Sequence, residues 1–244
     1  RMLALAGHPH GHSFVVLEPK EHAPAAVAAE TIVAAYDDPA ALAELAARVD
    51  VVTYEFENVP ASAVETLAER GAPVRPHPEA LRVASDRGHE KARFSELGIA
   101  TVPHRTVDEA KELEAAVADL GLPAVLKTRR FGYDGKGQRV LRSAADVPGA
   151  FEALGGVPQI LEGFADFRRE LSIVAARGLD GSIAFYPLVE NEHAGGILRW
   201  SRVPGRIEGT AAAAATAEAA RVAAALDHVG VLTIEWFALE EGNG

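Results

Sequence analysis

No cysteine occurs among the 244 residues. Disulfides and thiolate metal sites are therefore excluded, and the absence fits a cytosolic setting. No apolar run approaches the roughly eighteen residues that a membrane span requires. The opening stretch, Arg1 to Gly7, holds a hydrophobic patch too short for a signal peptide. An excess of positive charge is missing too. Against 35 Asp and Glu stand 24 Lys and Arg, and the net charge of −11 repels nucleic acid and anionic membranes alike. The expected partners are small molecules, with no nucleic acid and no membrane. The P-loop pattern G-x-x-x-x-G-K-[ST] is also absent. His8, His10 and His12 alternate in a poorly patterned segment without carboxylate support, so they read as loop, not as a metal site.

On such an acidic chain an anionic ligand needs a local cluster of cations, and the densest lies in Lys127-Thr-Arg-Arg-Phe-Gly-Tyr-Asp-Gly-Lys-Gly-Gln-Arg-Val140. Lys127, Arg129, Arg130 and Lys136 are there interleaved with Gly132, Gly135 and Gly137. Glycines let a backbone approach a bulky anion, and lysines and arginines supply countercharge for phosphate oxygens. The flanks, Pro123 to Leu126 and Arg139 to Leu141, read as strands, which puts the glycines at the tip of a β-hairpin. Two readings remain: a hairpin that folds over ATP, or a solvated basic turn.

Strand and helix alternate through the first eighty residues. Ser13 to Leu17 and Asp50 to Glu55 read as strands, and Asp38 to Arg48 and Pro60 to Arg70 as helices, with Leu42, Leu45, Ala46 and Val49 on one face. That order predicts a doubly wound parallel sheet. The chain opens on a helix stopped by Gly7, so the first strand of such a unit is expected to be missing. Pro76-His-Pro78 marks a break. Beyond it Ser85 to Leu97 reads as a helix, and Thr106 to Glu109 as a capping box opening another. Strands follow over Gln159–Gly163, Glu170–Ala176, Ile183–Val189 and Ile197–Val203. A helix over Thr210–His228 and a last strand over Val231–Phe237 complete the pattern.

Several polar residues sit where chemistry is plausible. Glu235 interrupts an apolar strand, either paired with a cation such as Mg²⁺ or facing outward. Glu170 can accept hydrogen bonds from a ribose or pair with Arg168 or Arg169. Glu162 to Ala165 closes a strand, where backbone groups can meet an adenine edge. Glu55-Phe-Glu-Asn58 follows the carboxyl end of an expected parallel strand, where doubly wound sheets bind ligands, and reads either as a hold on a polar substrate or as the start of the next turn. His193 reads as a surface or structural histidine.

Together these segments resemble the ATP-grasp superfamily, and within it the 5-(carboxyamino)imidazole ribonucleotide synthase family. Thr53-Tyr-Glu-Phe-Glu-Asn-Val59, Asp86-Arg87 with Glu90-Lys91, Leu126 to Gln138, Arg169-Glu-Leu-Ser-Ile173, Tyr186-Pro-Leu with Glu190-Asn-Glu-His193, Gly196-Ile-Leu198 and Gly230-Val-Leu-Thr-Ile-Glu235 carry the likeness. The resemblance implies a mixed α/β chain. A doubly wound domain over 1–84, lacking its first strand, precedes an ATP-grasp domain over 85–244 that is incomplete at its end and has a lid subdomain at 103–166. It implies an ATP- and Mg²⁺-dependent carbon–nitrogen ligase of purine biosynthesis, a cytoplasmic homodimer. Bicarbonate would be phosphorylated to carboxyphosphate and aminoimidazole ribonucleotide carboxylated. A formate-using glycinamide ribonucleotide transformylase, or a non-catalytic nucleotide-binding fragment, is the alternative.

The resemblance also assigns residues. Arg87 and Lys127 would contact phosphates, and Gly132, Tyr133, Asp134, Gly135, Lys136, Gly137 and Gln138 would form the covering loop, with Lys136 and Asp134 catalytic. Glu162, Gly163, Phe164 and Ala165 would form the adenine hinge, with Glu170 on the ribose and His193 a further nucleotide contact. Glu57, Tyr133 and Asp134 are the implied contacts to the imidazole ribonucleotide. Glu235 would be the first Mg²⁺ carboxylate, the second lying past Gly244.

Overall fold

The computed structural model describes residues 1–132, 135–207 and 209–239. Tyr133 and Asp134 lie outside that set. The chain divides into two compact units, Arg1–Arg82 and Val83–Gly244.

The first unit holds α1 (Met2–Gly7), β1 (Val15–Leu17), β2 (Glu30–Ile32), α2 (Pro39–Arg48) and α3 (Ala61–Glu69), and α4 (Pro78–Ala84) begins in it. The Asp38 carboxylate accepts the amides of Ala40 and Ala41, which caps α2, and Pro39 fits the first helical position. Leu42 and Leu45 are buried, and Ala46 and Val49 pack beside them on Ile32, Val64 and Val74. β1 and β2 run parallel.

The first unit departs from expectation at one of its strands. Asp50–Glu55 forms no strand, only a parallel bridge in which Val52 donates to the Pro73 carbonyl and accepts from Arg75. Pro73 carries no N–H, so it cannot donate back to that segment and the ladder stops on that side of Val74. β2, which no alternation marks, supplies the second strand instead. Gly7 ends α1, as expected. The turn continues through a 3₁₀ segment to Gly11, whose φ of 83° closes it.

The second unit contains α5 (Arg87–Glu96), β3 (His104–Val107), α6 (Ala110–Leu120), β4 (Ala124–Thr128), β5 (Gln138–Leu141), α7 (Ala150–Ala153) and β6 (Gln159–Gly163). β7 (Phe167–Arg177), β8 (Ile183–Phe185), β9 (Val189–Ala194), β10 (Ile197–Arg202), α8 (Thr210–Ala225) and β11 (Gly230–Leu239) follow. The strands make two antiparallel sheets. One has the order β3-β6-β4-β5; the other is β10-β9-β7-β11, with β8 also on β7.

Period-two alternation sorts the side chains of β4. Ala124, Leu126 and Thr128 are buried, and the first two join Val107, Leu113 and Leu161 in a core covered by α6. Val125 and Lys127 point the other way. In the second sheet Ile173 and Ile234 pair across β7 and β11 and are buried, and α8 packs against both strands.

Thr106 does not cap α6, because it lies inside β3 opposite Ile160. Glu112 does this instead, its carboxylate accepting the amides of Asp108 and Glu109. The strand expected over Ile183–Val189 breaks at Tyr186-Pro-Leu188, and a new strand, β9, begins after it.

Candidate functional site

A cleft of about 900 Å³ opens within the second unit, and its walls come from both sheets. α5 contributes Arg87 and Lys91, β4 contributes Lys127, and the end of β6 contributes Glu162 to Ala165. β11, the edge strand of the second sheet, contributes Glu235 and Phe237.

Strand register explains the grouping. Val125 faces Glu162 across β4 and β6, so Lys127 is the diagonal neighbour of Glu162 on the same face. The Lys127 Nζ lies 2.6 Å from one Glu162 oxygen, and Lys91 Nζ lies 3.1 Å from the other. Glu162 is buried. Burial pushes its carboxyl up, but Lys127 and then Lys91 outweigh that and hold it below the ordinary carboxylate range.

The Gly163 amide donates to the Pro103 carbonyl and the Phe164 amide to the Pro123 carbonyl, so the chain leaves β6 along the cleft rim. α5 is held to the far wall, because Arg93 donates to the Ala225 carbonyl and Arg221 to the Leu97 carbonyl.

On the second sheet Glu235 lies opposite Ser172, Phe237 opposite Glu170, and Glu170 opposite Asn191. These residues share one face. Glu170, Asn191, Glu235 and Phe237 also line a smaller hollow of about 70 Å³ beside the cleft. Glu170 pairs with the Nδ1 of His193 on β9, not with Arg169, which turns to Glu190 at 3.5 Å. The histidine reached only through the resemblance is thus in direct contact with the glutamate. Glu235 is exposed and makes no ion pair among the described residues.

The glycine hairpin is built as its sequence suggests, with β4 and β5 antiparallel and Lys127 opposite Gln138. Gly135 and Gly137 have φ of 72° and 74°, open to glycine at little cost. A Cβ on Gly137 would stand 2.6 Å from Thr128 Oγ1, and one on Gly135 would stand 3.2 Å from the Gly195 carbonyl oxygen. The hairpin tip therefore rests beside the β9–β10 turn, two residues past His193. Gly132, Gly135, Lys136, Gly137 and Gln138 are not in the cleft wall among the described residues. Tyr133 and Asp134 fall outside those residues. Glu57 is an exposed turn residue ahead of α3 in the first unit.

Arg129, which the sequence shows only as one cation of the glycine run, donates through Nε to Asp86 at 2.9 Å and through Nη1 to Asp108 at 3.1 Å. Its two carboxylate partners lie far away in sequence, so no local pattern announces them. His8, for its part, bonds to the carbonyls of His12 and Ala28.

Two sheets gripping a cleft, with a glycine hairpin beside it, define an ATP-grasp protein. Residues 92–243 match the ATP-grasp domain family, and residues 1–85 match the ribonucleotide synthetase preATP-grasp domain. The chain is 51% identical over its whole length to an N5-carboxyaminoimidazole ribonucleotide synthase of Brucella melitensis, covering 68% of that protein. The chain belongs to the N5-carboxyaminoimidazole ribonucleotide synthase family. The synthetase structure from Thermus thermophilus superposes with a TM-score of 0.90 at 46% identity, over 98% of this chain and 65% of that one. An Aspergillus clavatus synthase in complex with ADP and 5-aminoimidazole ribonucleotide gives 0.88 at 28% identity, over 99% and 64%. The chain thus spans about two thirds of the length of these relatives.

Proposed function

We propose that this chain binds ATP in the cleft and uses it to join bicarbonate to the amine of 5-aminoimidazole ribonucleotide. The observation that carries the proposal is convergence. Arg87, Lys127, Glu162 to Ala165 and Glu235 come from four separate elements and line one cleft, in a fold shared with a synthase crystallised with ADP and that ribonucleotide.

The adenine would lie along Glu162 to Ala165, its faces against apolar side chains such as Phe164 and Phe237. Arg87 and Lys127 would meet phosphate oxygens as charge moves onto them. Lys127 would then exchange part of its contact with Glu162 for the nucleotide, while Lys91 continues to neutralise that carboxylate. Glu170 and His193 would hold the ribose side. The hairpin bearing Lys136 would cover the phosphates and exclude water. A bicarbonate oxygen attacks the γ-phosphorus as the bond to the β–γ bridging oxygen breaks, releasing ADP. The exocyclic amine then forms a C–N bond to the carboxyl carbon, phosphate leaves, and the amine loses a proton.

The residues fit Mg²⁺. No cluster of three acidic or histidine side chains able to hold a metal exists among the described residues. Glu235 offers a single exposed oxygen donor, the pattern of an ion completed by phosphate oxygens. The ion would neutralise charge on the transferring phosphoryl group. The family resemblance adds the expectation of a cytoplasmic homodimer and gives Glu57, Tyr133 and Asp134 as contacts to the ribonucleotide.

The test is ADP release measured with bicarbonate, with and without 5-aminoimidazole ribonucleotide, and again with formate replacing bicarbonate. Turnover stimulated by the ribonucleotide and dependent on bicarbonate is expected. Turnover with formate alone would favour the transformylase reading, and nucleotide binding without turnover a non-catalytic module.

A further inference from the structure

Arg129 follows β4 at the base of the hairpin, and both its main chain and its side chain grip the first turn of α5. Its carbonyl accepts the Arg87 amide at 3.0 Å, and its own amide donates to the Pro158 carbonyl at 3.0 Å. The Asp86 carboxylate that receives its Nε also accepts the amide of Gly88 at 2.9 Å. A Cβ on Gly88 would stand 3.1 Å from that Nε and 3.3 Å from Cζ, so the guanidinium packs closely against the helix start. Arg87 sits between these clamps. Its own guanidinium reaches the loop, with one Nη 3.8 Å from the Cβ position of Gly132.

We infer that Asp86 and Arg129 are positioning residues for the nucleotide site, locking the Arg87 backbone to the hinge of the glycine hairpin so that its guanidinium meets the phosphates. The inference rests on the nucleotide reading above. Arg129 itself touches no phosphate in this account; its charge is held by Asp86 and Asp108. Asp86 is buried and Arg129 nearly so, and such a pair keeps its geometry where an exposed one would not. A cation whose own amide is tied to the Arg129 carbonyl, and whose neighbour Gly88 is tied to Asp86, loses little freedom when a ligand arrives, which is the value of preorganisation.

The experiment is calorimetric titration of the chain with ATP and, separately, with adenosine. It compares the unsubstituted protein, Asp86→Asn, Arg129→Lys, Arg87→Ala, and Arg87→Ala combined with Arg129→Lys. ATP affinity should fall about tenfold in Asp86→Asn and Arg129→Lys, while adenosine affinity stays level, because only the phosphate end is misaligned. The combined variant should bind ATP no more weakly than Arg87→Ala alone, since Arg129 acts through Arg87. Unchanged ATP affinity in both single variants overturns the inference. So does an equal loss for adenosine, or a fully additive loss in the combined variant. If Arg129→Lys melts too low to titrate, the near-isosteric Asp86→Asn carries the same comparison. Failure of the unsubstituted chain to bind ATP at all overturns the nucleotide reading, and this inference with it.

Discussion

Lys127 on β4 lays its ammonium 2.6 Å from the Glu162 carboxylate on β6, and Lys91 closes on the other oxygen of the same group. One buried anion thus serves two cations at the cleft wall. Removing the shared partner should cost more than removing either cation. Glu162→Gln leaves two ammoniums side by side and is expected to destabilise the fold by about 3 kcal/mol, the usual cost of an uncompensated buried charge. Lys127→Met leaves Lys91 on the carboxylate and should cost visibly less. Urea unfolding midpoints of the two variants decide the order.

The pH dependence of stability follows from Glu190. The Arg206 side chain, which donates twice to it, draws its pKa down to about 2 against burial. A carboxylate depressed in the folded state contributes stability that is fully present above its unfolded pKa of about 4.5. That contribution disappears as pH falls through about 2. Glu190→Gln should therefore flatten the acid limb of the stability curve below pH 4.5, measured by thermal melts at stepped pH.

Glycine in the hairpin has a second role beyond its backbone freedom. Gly137 and Gly149 have nearly equal φ, 74° and 71°, but a Cβ meets Thr128 Oγ1 at 2.6 Å in the first and nothing within 4 Å in the second. Gly149→Ala should cost about 1 kcal/mol from the left-handed backbone alone. Gly137→Ala should cost about twice that, and a chemical-denaturation series comparing the two checks it.

Removal of the metal gives a prediction for Glu235. If its carboxylate helps hold Mg²⁺ on the phosphates, Glu235→Gln should weaken ATP binding about tenfold with magnesium present. It should change little in EDTA, and calorimetry under both conditions separates the two cases.

Much of this fold is legible in the sequence. Helices α2, α3 and α5 and the β4–β5 hairpin follow from local patterns that act within a few residues. What was not legible depends on distant partners. The expected strand at Asp50–Glu55 meets Pro73 in its partner segment, distant in sequence, which lacks the N–H that would extend the ladder. β2 is three residues long and carries no alternation. In the sequence, Glu235 and Glu170 stand out as charged residues within strands, and Lys127 as part of the basic glycine run. The Glu170–His193 pair and the Asp86–Arg129 clamp exist only through register and folding, and composition cannot show them.

The central claim is that the cleft walled by α5, β4, β6 and β11 is the ATP site, and photolabelling with 8-azido-ATP tests it most directly. Labelled protein is digested and the modified peptides are sequenced, with and without excess ATP. Label should fall on the segments spanning Gln159 to Ala165 and Gly230 to Leu239, and ATP should abolish it. Label confined to other segments, or insensitive to ATP, would contradict the account.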